Sequence, residues 1–576
     1  MRWDRPKLTQ VVDVARGVQP ADLCIRNCRI VNVLTGRVET RDLTIFQDLI
    51  VGWGDYRAKA TWDAEGLYVC PGFVDGHIHL ESSLLNPFHF SNAVAPWGTS
   101  AVIADPHEIA NVLGLEGIRY VLRSSENQLV DIFFNLPSCV PASPLETSGA
   151  QLRATDLYSL IPHERILGLA EMMNFPGVLH HAEDVTDKLL LFQDRILDGH
   201  APLLKDRELN GYLAAGIGSD HECTTREEAE EKLSKGMTIM IREGSQSKDL
   251  EALLPIVNDH TWPRCMFVSD DRHPDDLMEN GHMNAIVNKA VRLGMDPVRA
   301  LTLATWTPCR YFRLPRRGAI APGYAADFSM SPSLHPWEPV HVFKRGMEVA
   351  RRGKLLKKRT AEMAARAPGS PMRIGPLDLS LLKVPLQPGL LRTIGVREGT
   401  LLTEELLFTP TIDNGFVTAD PARDILKLAV FNRYIPDRPP AVGFVTGIGL
   451  AEGAAATTIA HDSHNLIAVG ASDEAILRTV DALRDTGGGM AIGNQNGPIA
   501  VLPLPIAGLM SSDPIERVVE RLLLLKKLAT AMGSPLKNVF MALSFLALPV
   551  IPQLKMTDLG LVDVSTFSIV PLFKSI

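Results

Sequence analysis

The chain has 576 residues, 46% of them hydrophobic and 22% charged, a balance that buries a large core and excludes a disordered polymer. With 58 Lys and Arg against 66 Asp and Glu the net charge is −8, and no basic run lies on an aromatic-rich face, so nucleic acid is not an expected partner. The longest apolar stretch, Val539 to Pro552, is too short for a helix crossing a bilayer and is broken by Ser544 and Pro549.

The first residues, MRWDRPKLTQVVDVARG, carry charge from Arg2 onward and lack an apolar signal core, which points to the cytoplasm. Seven dispersed cysteines imply no disulfide framework. Cys24 and Cys28 imitate half of a zinc site, but they fall in the strand-like LCIRNCRIV without a second pair, so packing is the expected role. From about Asp22 to Val69 short alternating runs separated by Gly or Asp predict strands. A similar pattern returns at 325–356, and the two segments are expected to pair into one small β-sandwich domain, covering 1–70 and 323–365.

Between them, 71–322 alternates apolar runs (TSAVIADP, DIFFNLPSCV, ILGLAEM, LDGHAP, GIGSDHE, MTIMIREGS, CMFVSDD) with helical stretches such as REEAEEKLSKG and NAIVNKAVRLG. That alternation predicts an α/β fold with a (β/α)8 TIM-like barrel, whose active site gathers at the C-terminal ends of the strands. After the linker RTAEMAARAPGSPMR, strands (HDSHNLIAVG, GMAIG) and helices (AILRTVDALRDT, IERVVERLLLLKKLATAMG) predict a separate C-terminal α+β domain over 390–576.

The strongest local signal is GFVDGHIHLESS, Gly72 to Ser83. The two-residue period of a strand puts His77 and His79 on one face, able to share a metal ion, with Ile78 on the other. Later strand ends add Glu171, His200, His221 and Asp270. Four imidazoles and two carboxylates suit two divalent cations bridged by Glu171.

This series resembles the amidohydrolase superfamily. HIHLESS, ADPHEIANVLG, EMMNFPGV, AAGIGSDHE, IREGS and SDDRHP resemble the adenine deaminase family more closely, and HDSHNLIAVG, LPLPIAGLMS and LSFLALPVIPQLKMTDLGLVDV extend the resemblance into the C-terminal region. The sequence departs from the family after GHAP, where Leu203 and Leu204 precede Lys205. The resemblance implies hydrolytic deamination of adenine to hypoxanthine and ammonia in purine salvage. It also implies a homodimer or higher homo-oligomer and two metal ions, Mn2+ or Fe2+, with Zn2+ as a third fit to the same donors. A genuine carboxylate at Glu171 replaces the carboxylated lysine of other relatives. The alternatives are another amidohydrolase acting on a cyclic amide or imidazolone, and a non-catalytic barrel scaffold.

On this reading a metal ion lowers the pKa of water toward about 7, so that hydroxide is available to attack C6 of the purine. Asp270, chosen over Asp271 by analogy with the superfamily, relays the hydroxide proton to the departing amine. Glu243, after the strand MTIMIR, is the expected proton donor at N1, against the alternative of an exposed carboxylate linked to Arg242. Asp105, His107 and Glu108 form a second cluster that binds substrate, supports the ligands, takes a further cation or merely starts a helix. Arg272 and His273 are candidates for contact with the purine or the buried carboxylates. His461, Asp462 and His464 have ligand-like spacing, but turn hydrogen bonds are the expected role. Gly487 to Gly489 form a turn, because no Lys-Ser or Lys-Thr follows to make a phosphate loop.

Overall fold

The computed structural model describes residues 4–357 and 366–575. The linker expected at 359–373 therefore lies partly outside the described residues. Among the described residues, no helix is long and apolar enough to cross a membrane.

The two flanking segments do meet in one sheet. Strands Ala21–Asn32, Arg37–Phe46, Leu49–Trp53, Ala58–Asp63 and Tyr68–Pro71 join Phe328–Ser331, His341–Lys344, Met347–Arg351 and Lys354–Leu355. The seam is antiparallel, with Met330 opposite Val69. Leu49 bridges Ala325, which folds the sheet over a core containing Ile30, Leu43, Phe328 and Phe343. Cys28 belongs to that core, and burial pushes its thiol up to about 12, in keeping with a packed, protonated side chain.

The barrel consists of parallel strands Phe73–His79, Thr99–Ala104, Asp131–Leu136, Ile166–Met172, Ile196–Gly199, Ser219–Asp220, Thr238–Arg242 and Cys265–Val268. The last resumes as Asp270–Asp271 and pairs with the first, opposite Ile78 and His79. Across the remaining seam Gly218 N donates to Leu197 O at 2.9 Å. Side-chain alternation sorts the strands into two layers. Val74, Ile103, Met240, Met266 and Val268 fill one cluster, whereas Ile239, Ile241, Cys265 and Phe267 pack with Ile286 and Val287 of helix Met283–Arg292.

Period-two patterning also explains the C-terminal region. Its largest sheet includes Leu426–Phe431, Leu466–Gly470, Ala454–Thr457 and Gly489–Asn494. Ala429, Ala468 and Ala456 face helix Asp473–Thr486, meeting Ile476, Val480 and Leu483. Ser472 and left-handed Gly487 cap that helix. The opposite face, with Leu428, Val430 and Val469, shares one core with barrel residues such as Phe134 and Leu169. The C-terminal region thus packs onto the barrel through this face. The expected strand HDSHNLIAVG begins only at Leu466, leaving its polar half as a loop.

Candidate metal centre at the barrel mouth

His77 and His79 reach the same side of the strand through its two-residue period, and the ladder shifts register between Asp75 and Ile78. The shift lets residue 77 follow inward-facing Val74 while Ile78 turns to the outer core. At the other side of that seam the strand breaks after Val268, and Asp270 adopts a left-handed φ of 56°, a conformation that aspartate tolerates.

The six side chains singled out from the sequence converge. Asp270 Oδ1 lies 3.3 Å from His77 Nε2 and 3.2 Å from His79 Nε2. Glu171 presents its two oxygens to different imidazoles: Oε1 lies 3.4 Å from His79 Nε2, and Oε2 lies 2.7 Å from His200 Nδ1 and 3.0 Å from His221 Nε2. The His77 and His221 rings stack with centroids 4.2 Å apart. All but the half-buried His200 are buried.

Burial opposes charge throughout this cluster, yet its members hold one another charged. The imidazoles of His200 and His221 keep the Glu171 carboxyl well below the usual carboxylate range despite desolvation. Desolvation would lower the pKa of His79, and the adjacent Asp270 carboxylate raises it well above the ordinary value. Two anionic carboxylates surrounded by imidazoles need positive charge, supplied here by protons or equally by divalent cations. His77 Nε2 is buried and makes no hydrogen bond. The orphaned nitrogen, together with the groups His77–His79–Asp270 and His77–Glu171–His221, whose ligand atoms lie within 4.8 Å of one another, fits metal binding.

Asp105 and His107 belong to the same buried cluster. His107 Nδ1 lies 3.0 Å from Asp105 Oδ2 and 3.4 Å from Glu171 Oε1. Helix His107–Leu113 begins there with Glu108 in its first turn, which bears out the helix start. Glu108 carries a contact with the C-terminal region: Oε1 lies 2.7 Å from His461 Nδ1, and Oε2 meets His464 Nε2. The expectation that these histidines make only turn hydrogen bonds is corrected for His461. For His464 it is half realised, because Ala460 N donates to its Nδ1 at 3.2 Å. That bond leaves Nε2 as the protonated nitrogen, donating to Glu108.

Other expectations change. Glu243 is buried but faces away from the cluster, following Ile239 and Ile241 on the outer side of its strand. Its Oε1 pairs with Lys289 Nζ at 2.6 Å, not with Arg242. Arg242 points inward and binds Asp270 Oδ2 at 3.3 Å and Asp249 at 3.0 Å, and it also contacts Glu222. Asp271 does not join the imidazoles; its Oδ1 accepts from Ser82 Oγ. Arg272 reaches backbone carbonyls of Glu243 and Gly281 rather than carboxylates of the cluster. His273 lines a cavity beneath the C-terminal region.

Glu222 escaped the sequence reading, and Arg242 entered it only as an alternative partner for Glu243. Glu222 lies 3.6 Å from His221 Nε2 and links the cluster to Arg242. The available signal was its place directly after His221 and the inward alternation of Arg242 after Met240.

A parallel barrel with paired imidazoles on its first strand and, on its fourth, a carboxylate shared among several imidazoles is the arrangement of the metal-dependent amidohydrolase class. The amidohydrolase family model matches residues 68–351, and the model of the adenine deaminase C-terminal domain matches residues 400–568. The chain is 65% identical over 575 residues to an adenine deaminase of Syntrophobacter fumaroxidans, covering 100% of both chains. It is 46% identical over 565 residues to adenine deaminase 2 of Carboxydothermus hydrogenoformans, covering 98% of this chain and 99% of that one. An adenine deaminase of Dehalococcoides mccartyi is 44% identical over 565 residues, with the same coverage. The chain belongs to the adenine deaminase family.

Proposed function

We infer that the protein hydrolyses adenine to hypoxanthine and ammonia, as a cytoplasmic enzyme of purine salvage. The observation that carries the reading is Glu171, whose two oxygens face two different sets of imidazoles across one buried cluster. We assign His77, His79, Glu171, His200, His221 and Asp270 as the residues that would hold two divalent cations, Mn2+ or Fe2+. When bound, the cations make water acidic enough to serve as a nucleophile near neutral pH.

The chain's own residues account for the remaining chemistry. C6 of adenine is a poor electrophile, so the attacking water must lose its proton as it adds and the amine must gain one as it leaves. Asp270 stands at the imidazole cluster with Oδ2 held by Arg242, an orientation suited to receiving the first proton and delivering the second. Asp105 holds Nδ1 of the His107 imidazole at 3.0 Å, which fixes the orientation of that ring. Burial of nearly all these groups excludes bulk water from competing proton transfer.

The reading divides the chain into a β-domain of 1–70 and 323–365, a barrel of 71–322 and a C-terminal domain of 390–576. Shared strand pairing between the first two segments supports this division. The test is ammonia release from adenine by metal-loaded protein. Turnover of adenine is expected; turnover of a hydantoin or an N-acyl amino acid with none of adenine overturns the reading.

A further inference from the structure

Where the C-terminal region meets the barrel, the surface opens into a cleft of about 470 Å³, and none of the six side chains of the imidazole cluster lines it. That volume suits a small molecule. Lys248 reaches the cleft from the loop after strand Thr238–Arg242, while Arg397, Lys526, Lys537 and Lys555 come from the C-terminal region. On a chain of net charge −8, five cations therefore share this cleft with three carboxylates, Asp275, Asp276 and Glu398. Two of the cations are matched, Lys526 by Asp275 at 2.6 Å and Arg397 by Glu404 at 2.9 Å. Lys248 and Lys537 stand exposed at the rim.

Lys555 differs from them, being 1% exposed at the floor. Burial of an ammonium is costly without an anion beside it, and most buried lysines of this protein have one. Lys232 pairs with Asp220 and Glu228, Lys344 with Asp131 and Asp327, and Lys427 with Asp473. Lys188 instead donates to Ser138 O at 2.7 Å, and Lys555 to Leu401 O at 2.9 Å. A single carbonyl uses one of the three donors of an ammonium and neutralises none of its charge. Lys555 thus presents to the cleft a cation site without its counter-charge.

We propose that this cleft binds a phosphate group, free or esterified to an apolar body, with Lys555 as the charge at its floor and Lys248, Arg397 and Lys537 at its rim. A tetrahedral dianion offers oxygens to cations converging from separate elements, and an ammonium meets it as a point charge. Val396, Leu402, Met541 and Phe545 supply apolar wall beside the cations, which suits the body of a monoester. The site shares no residue with the imidazole cluster, so the assignment is independent of the adenine reading. Burial pushes the Lys555 pKa down to about 7, so the free amine is largely neutral at about pH 8. A bound dianion favours the ammonium, and binding should take up a proton there. The other titratable groups lining the cleft are His273, Asp276 and Glu398, beside the Lys526–Asp275 pair.

The test is calorimetric titration of the metal-loaded protein with inorganic phosphate and with phenyl phosphate, at about pH 8 in two buffers of different ionisation enthalpy. Lys555→Met and Lys537→Glu are compared with the wild type. One site per chain is expected, with proton uptake in the wild type that Lys555→Met abolishes. Kd should rise about tenfold or more in Lys555→Met, and several-fold in Lys537→Glu with the difference shrinking as salt is added. Equal affinity for the two ligands assigns the site to free phosphate; tighter binding of phenyl phosphate assigns it to a monoester. Absence of binding by both, or a Kd that Lys555→Met leaves unchanged, overturns the proposal. Should Lys555→Met fail to fold, the exposed Lys537→Glu decides on the same terms.

Discussion

The two ends of the barrel both bury several charged side chains, but they satisfy them differently. At the N-terminal end Lys344 Nζ uses its donors on Asp131 Oδ2 at 2.7 Å, Asp327 Oδ2 at 2.9 Å and Ser100 O at 2.9 Å. Arg317 and Arg345 complete the neutralisation of Asp131, at 2.7 and 2.8 Å. Although burial resists it, these cations hold the Asp131 carboxyl well below its usual range. At the C-terminal end imidazoles face both oxygens of Glu171 and Oδ1 of Asp270, Arg242 holds Oδ2 of Asp270, and His77 Nε2 is left without a hydrogen bond. A permanent cation closes a network; a set of lone-pair donors around carboxylates leaves it open to a metal ion. Burial and charge density alone do not separate a structural cluster from a reactive one. The character of the positive partner does.

The sharpest way to break this contrast is to remove one ligand from the open end. His77→Ala or His221→Ala should abolish turnover and lower bound metal below the wild-type level, since affinity depends on every imidazole in the set. Metal analysis with ammonia release checks this, and a variant keeping both metal and rate removes that residue from the ligand set. Breaking the closed end should do the opposite. Lys344→Met leaves two buried carboxylates short of a partner, so thermal or denaturant unfolding should show a loss of about 3–5 kcal/mol. Metal content per folded molecule should be unchanged.

Lys555 offers a milder comparison, as a buried cation whose ammonium meets a backbone carbonyl. It donates to Leu401 O at 2.9 Å, and burial pushes its pKa from 10.5 down to about 7. Between those values the unfolded chain binds a proton that the folded chain does not, so stability from this group rises as pH climbs through the window. Lys555→Met should therefore raise Tm most at pH values below about 7 and progressively less toward pH 10.5. A gain independent of pH would show that the ammonium is not desolvated. The smallest effect is expected at Glu243. Its carboxylate faces Lys289, so Glu243→Gln should change kcat by only a few-fold, whereas a fall of roughly 10²–10⁴ would restore it as a proton donor.

The legible parts of the molecule were those governed by local periodicity. Alternating apolar runs located the barrel strands, and the H-x-H spacing placed His77 and His79 together because a strand repeats every two residues. The failures came where one residue of register or a distant contact decided the outcome. Glu243 follows Arg242 by one position, and that single step turns its side chain toward helix Met283–Arg292. The register shift between Asp75 and Ile78 had no local marker beyond Gly76. His461 and His464 lie more than 350 residues from Glu108 in sequence, and only the docking of the C-terminal sheet on the barrel brings them together.

On the proposed assignment the buried imidazole and carboxylate cluster works only with two divalent cations in place. Its most direct test titrates metal-free protein with Mn2+ anaerobically while recording ammonia released from adenine. Activity should climb from zero and level off at two equivalents per chain. Full turnover without metal, or none at saturation, would contradict the account.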